Sequence, residues 1–234
     1  MTQPALSIGM LIFPRLTQLD LTGPYEVFAR LPNAQVHLIA RTLDPVRSEY
    51  GLTITPDHSF ATAPKLDILF VPGGAGINAL MEDEELLSFL RSRANEASYI
   101  TSVCTGALVL AAAGLLNGYR ATTHWLSLDV LEIFGVEVIR ARVVIDRNRI
   151  TGGGVTSGID FGLTLAAYLY GEAVAREIQL LIEYDPAPPF QSGSPKAADP
   201  ALVERVMAAR SGIQTARQEI ARRAAERLKN PTQG

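Results

Sequence analysis

Short, β-branched apolar runs alternate with longer stretches of helical periodicity along most of this chain, and that alternation leaves few folds open. Residues 6–13 read as a first strand, and residues 24–31 as a helix capped by Thr22, with Pro24 near its first turn. Residues 36–40 form a second strand and 67–71 a third, a continuous apolar run of the kind buried on both faces. Pro72-Gly-Gly-Ala-Gly ends it, and a helix is predicted over 85–97. A strand over 99–103 leads into Cys104, and Gly106 opens a helix-like run over 107–113. Residues 126–134 read as helical, 143–145 with 149–151 as a hairpin, and 157–170 as a long apolar helix. Strands separated by helices pair in parallel, are covered on both faces, and place a binding site at their carboxyl ends. The 234 residues suffice for one such core. A proline-rich connector, Tyr184-Asp-Pro-Ala-Pro-Pro-Phe-Gln-Ser-Gly-Ser-Pro, leads from an α/β unit of residues 1–195 to a C-terminal helix within 196–234. Apolar residues recur along that helix at helical spacing, so it is expected to pack on the body or on a partner subunit.

Chemistry concentrates at the strand that ends in Cys104. A strand turning directly into a helix, with a nucleophilic side chain at the turn, lifts that side chain out of the sheet. Cys104 is the only cysteine, so it cannot form a disulfide within the chain. Its place near the positive end of a helix predicts a thiol biased toward thiolate. Asp20, between Leu19 and Leu21 just after the first strand, is the expected proton partner. Desolvation and a nearby thiolate would raise its pKa, so that acid and thiol share one proton. Local pattern alone reads Asp20 equally well as a cap for the following turn. Glu26 is the next acid, but it falls within the helix. Gly73 and Gly74 are expected to offer backbone N–H groups to the reacting atoms, with the N–H of Thr105 as companion donor. Gly153 and Gly154, followed by Val155, would bring another loop close to the thiol. His124 is the one histidine expected near the site, although a satisfied buried histidine is the commoner reading. Three scattered histidines and one cysteine lack the spacing of a metal centre, and none is expected.

Composition narrows the partners. A net charge of -3 without a basic stripe argues against nucleic acid, and the Lys and Arg of the last thirty or so residues are interleaved with Glu as on a solvated helix face. No apolar run approaches the ~20 residues that span a bilayer, so no membrane partner is expected. The N-terminal residues lack the pattern of a signal peptide, and a cytoplasmic location is expected.

Leu19-Asp-Leu-Thr-Gly-Pro, Val71-Pro-Gly-Gly, Ser102-Val-Cys-Thr-Gly and Ala121-Thr-Thr-His-Trp together resemble the ThiJ/PfpI superfamily, from about Ser7 to the C-terminal helix. Within it, the aspartate at position 20 and the proline-rich connector resemble the members that hydrate isocyanides. The resemblance implies a flavodoxin-like three-layer sandwich, with a mostly parallel sheet, helices on both faces and a nucleophile elbow. It implies a homodimer without a cofactor, in which Cys104 is the nucleophile, Asp20 the acid, and Thr105 part of the same site. Val155 departs from the larger aliphatic residue of those relatives, which alters packing near the thiol. The implied reaction turns a small-molecule isocyanide into an N-substituted formamide through a cysteine thioimidate. A stress protein acting on glyoxals or glycated groups would use the same thiol, and a redox-sensing or ligand-binding domain without catalysis is a further reading.

Overall fold

A seven-stranded sheet organises the chain, in a computed structural model that describes residues 6–230. In chain order the elements are β1 (Leu6–Leu11), α1 (Gln18–Phe28), β2 (Ala34–Ala40), β3 (Val46–Arg47), β4 (Thr53–Ile54), β5 (His58–Ser59) and β6 (Ile68–Val71). They continue as α2 (Ile77–Leu80), α3 (Glu84–Ala94), β7 (Tyr99–Val103), α4 (Gly106–Ala112), β8 (Arg120–Ala121), α5 (Leu128–Glu132), β9 (Glu137–Val138), β10 (Val143–Asp146) and β11 (Arg149–Gly152). Three helices close the series: α6 (Ser157–Tyr170), α7 (Glu172–Leu181) and α8 (Pro200–Lys229). The outermost positions of the two expected units, 1–5 and 231–234, lie outside the described residues.

The strand order is β10-β11-β7-β6-β1-β2-β5. Every neighbouring pair is parallel except the β10–β11 hairpin. The chain moves outward from β1 to β2 and then returns to β6 on the other side, so the order reverses between β1 and β6. Loops leaving adjacent strands diverge at such a point and open a crevice at the carboxyl edge. β6 is buried along its whole length, as its unbroken run of Ile68, Leu69, Phe70 and Val71 requires for a central parallel strand.

Helices cover both faces. On one, α1 packs on α6, and Phe28, Phe70 and Phe161 from α1, β6 and α6 meet with ring centroids 5.6 to 6.1 Å apart. On the other, the wholly buried α4 lies behind β7 and is surrounded by α2, α3, α5 and α8.

The structure differs from the sequence reading at α1. Pro24 is not at the start of a helix; it sits inside one that begins at Gln18. Its ring lies against α6, where a Cβ at Gly158 would come within 2.8 Å of Pro24 Cδ. Tertiary packing therefore overrides proline's preference for the first turn. As a result Asp20 stands in the first turn of α1 rather than in a loop. The stretch over 126–134 divides into a 3₁₀ turn, Trp125–Ser127, and α5. The hairpin and α6 stand close to where periodicity places them.

Candidate active site

The turn after β7 is held in an unusual shape. Cys104 has φ 54°, a left-handed conformation that side chains seldom adopt, as at other strand-to-helix elbows. Its N–H donates to the carbonyls of Gly152 at 3.1 Å and Gly153 at 2.7 Å, and its carbonyl accepts from the Thr123 hydroxyl at 2.7 Å. The elbow also needs Gly106, because a Cβ there would fall 2.1 Å from the Val71 carbonyl oxygen. Three elements thus fix the backbone on which the thiol stands.

Asp20 is fully buried beside the thiol. Gly73 N–H donates to its Oδ2 at 3.1 Å, while Oδ1 has no other partner among the described residues. Burial pushes the Asp20 pKa up to about 7, against the contrary pull of the thiol and of the Gly73 N–H, and the nearby Glu49 carboxylate adds to the rise. Burial likewise pushes the Cys104 thiol well above its ordinary value, and the Asp20 charge adds to that; the Thr105 N–H and the Arg217 guanidinium act the other way. The expectation of a thiol poised as thiolate by the helix end is therefore corrected. Desolvation outweighs the N–H groups of a seven-residue helix and favours the protonated thiol.

Gly73 and Gly74 do lie at the site, but their N–H groups are engaged by the protein itself. Gly73 holds Asp20, and Gly74 N–H donates to Thr105 Oγ1 at 3.1 Å. Thr105 N–H faces the thiol. Of the three N–H groups expected near the reacting atoms, those of Gly73 and Gly74 hold the acid and the threonine, and that of Thr105 faces the sulfur. A Cβ at Gly73 would meet Thr105 N at 2.6 Å and Asp20 Oδ2 at 2.8 Å, so glycine is required for that approach.

Gly153 serves the elbow through its carbonyl, and Gly154 lies against His124, where a Cβ would be 3.0 Å from His124 Cδ2. Val155 is half-buried next to it. His124 accepts from Leu126 N–H through Nδ1 at 3.3 Å. Burial lowers its pKa to about 4, with Arg217 and Arg210 adding to the fall, so it is a neutral ring near the site and no acid at neutral pH. Glu26 is absent from the site and pairs with Arg30 on the surface.

Two residues near the pair escape the sequence reading. Glu49, on the hairpin loop between β3 and β4, accepts from the Thr17 hydroxyl at 3.3 Å at the start of α1. Arg217 of α8 is buried behind the elbow, not on a solvated face. The signal was available: Ile213, Arg217, Ile220, Ala224 and Leu228 follow one helical stripe, and an arginine in an apolar stripe marks a buried charge. A separate cavity of about 1020 Å³, lined by Leu11, Phe13, Ala40, Val46 and Phe60, lies over the ends of β1 and β2, and neither Asp20 nor Cys104 faces it.

A sheet of this order, with a strained cysteine elbow and an acid from the crossover after β1, defines a class. The chain belongs to the DJ-1/PfpI family, whose pattern matches residues 6–168. It is 54% identical over 224 residues to the isonitrile hydratase of Pseudomonas putida, covering 96% of this chain and 98% of that one. It is also 32% identical over 187 residues to the transcriptional regulator GbdR of Pseudomonas aeruginosa, covering 76% of this chain but 51% of the regulator. The crystal structure of a ThiJ/PfpI family protein from Pseudomonas syringae superposes with a TM-score of 0.91 at 45% identity, over 94% of this chain and 91% of that one.

Proposed function

We propose that this protein is an isonitrile hydratase that adds water to an isocyanide and releases the N-substituted formamide, with no cofactor. The observation that carries the reading is near-full-length likeness to the P. putida enzyme, and a buried acid–thiol pair stands where the chemistry needs one.

Asp20, with a pKa of about 7, is ionised in roughly half of the molecules near neutral pH and can take the thiol proton. The thiolate attacks the terminal isocyanide carbon and forms the S–C bond, and Asp20 returns the proton to that carbon, giving a thioimidate. The carboxylate then takes a proton from water as the oxygen adds to the same carbon, and passes it to nitrogen. Loss of the hydroxyl proton to Asp20 lets the carbonyl form as the C–S bond breaks, and the departing thiolate recovers that proton. One nucleophile and one proton carrier suffice, and the atoms sum to isocyanide plus water. Thr105 contributes the N–H that faces sulfur, and Gly73 keeps Asp20 turned toward it.

The test is purified protein with a small aryl isocyanide, followed by infrared loss of the isocyanide band and mass detection of the formamide. A protein adduct equal in mass to the whole substrate is expected, since no group leaves before water adds. No formamide from any alkyl or aryl isocyanide, or full activity after alkylation of Cys104, would refute the reading.

A further inference from the structure

Arg217 is 5% exposed, yet the carboxylates on neighbouring elements are turned elsewhere. Its Nε donates to Asn78 Oδ1 at 2.8 Å and its Nη1 to Ser127 Oγ at 3.0 Å, both neutral. Asp129 on α5 is taken by Gln218, and Glu82 beyond α2 by Arg223 and Arg227. Among the described residues Arg217 therefore has no ion pair, an arrangement that is costly for a buried guanidinium unless negative charge lies within its field. Burial pushes the Arg217 pKa down, and Cys104 and Glu49, the two groups in its field that can carry negative charge, act against that fall. The neutral His124 also lies in its field, and Arg210, farther back on α8, adds positive charge around that ring.

The two hydrogen bonds have a second meaning. Asn78 stands on α2, just past the Gly73–Gly74 loop, and Ser127 closes the 3₁₀ turn that follows His124. Arg217 thus ties α2 to the 3₁₀ turn before α5; α2 and α5 both pack on α4, which begins two residues after the thiol. We propose that Arg217 is a positioning residue for the nucleophile, its fixed buried charge offsetting the single negative charge that Cys104 and Asp20 must carry for attack. This rests on Cys104 being the nucleophile. Arg217 touches neither the thiol nor the acid by hydrogen bond; it acts through the field and through the elements it joins.

The experiment reads the thiol directly, without an isocyanide. The rate of Cys104 alkylation by iodoacetamide is measured from pH 5 to pH 10 in the parent, Arg217→Gln and Arg217→Lys, each first shown to melt cooperatively. In Arg217→Gln the midpoint is expected to rise by about one pH unit, a tenfold loss of rate near neutrality. Arg217→Lys keeps the charge and should recover most of the shift. If Gln does not fold there, Arg217→Met, of similar reach and apolar, makes the same test. An unchanged midpoint in a folded neutral variant overturns the proposal, and so does a Lys variant as shifted as the neutral one, because charge would then not be the cause. Normal alkylation shifts with no turnover of isocyanide would instead count against the hydratase reading and leave this one standing.

Discussion

Asp20 has a pKa of about 7 in the folded chain, against 3.8 for a free aspartate. Below pH 3.8 both states hold the proton. Between these values the unfolded chain releases it while the fold keeps it, so stability is full below about pH 4, declines toward pH 7 and is then level. A shift of this size corresponds to about 4 kcal/mol. Asp20→Asn, which can still accept from Gly73, should therefore melt higher than the parent at pH 8, with the gap closing near pH 4. His124 has the opposite slope: its folded pKa near 4 lies below the ordinary 6.5, so stability is lost as pH falls between the two. The two slopes oppose each other in the parent, and Asp20→Asn should uncover the loss on the acid side. Melts at pH 4, 6 and 8 check both statements. The same variant should lose about 10²–10⁴-fold in kcat/KM for an isocyanide, the usual worth of a general acid–base group. Cys104→Ala should abolish turnover with little change in melting temperature, because backbone bonds to Gly152, Gly153 and Thr123 impose the turn. Cys104 follows a strand directly and Asp20 stands in the helix after β1, each within a short motif, and that is why the sequence could bring the two together. The protonation state of Cys104 was not legible, because it depends on how much the folded chain buries, which no local pattern reports.

At the scale of elements, two glycines hold the elbow against its neighbours. A methyl group at Gly73 would fall 2.6 Å from the Thr105 backbone nitrogen and 2.8 Å from Asp20 Oδ2, so the elbow itself must move. Gly73→Ala should therefore lose at least tenfold in kcat, as acid and thiol move apart, together with some stability. A methyl group at Gly106 meets the backbone of β6, which cannot yield, so Gly106→Ala should lower the yield of soluble protein and destabilise what remains by several kcal/mol. Circular dichroism with steady-state kinetics distinguishes the two outcomes. The parallel strands and the long α6 were readable because their periodicity spans enough residues to be distinctive. The two-residue strands β3, β4, β5, β8 and β9 carry no such pattern, and they form where neighbouring backbone provides partners. α7 also escaped, because only Ala175 and Ile178 of its ten residues are buried, too few to make a clear stripe. α1 was misplaced by six residues at its start for the reason already given, proline packing against glycine.

For the molecule as a whole, the expected assembly is a homodimer. Tyr168 on α6 and Leu180 and Leu181 on α7 are more than half exposed, as are Tyr50 and Leu52 on the β3–β4 hairpin. Light scattering at micromolar concentration should give twice the 25.2 kDa chain mass, and a species near the single mass would count against it. Among the described residues no helix is long and apolar enough to cross a membrane. The thirty-residue α8 has a consequence of a different kind. Every strand of the sheet, the acid and the thiol are made by the ribosome before this helix, so the sheet can close while α8 is still within the exit tunnel. The nascent protein at that moment holds a cysteine elbow without the arginine that belongs behind it. If Arg217 acts as proposed, translation order separates assembly of the framework from arming of the thiol, which waits for α8 to dock.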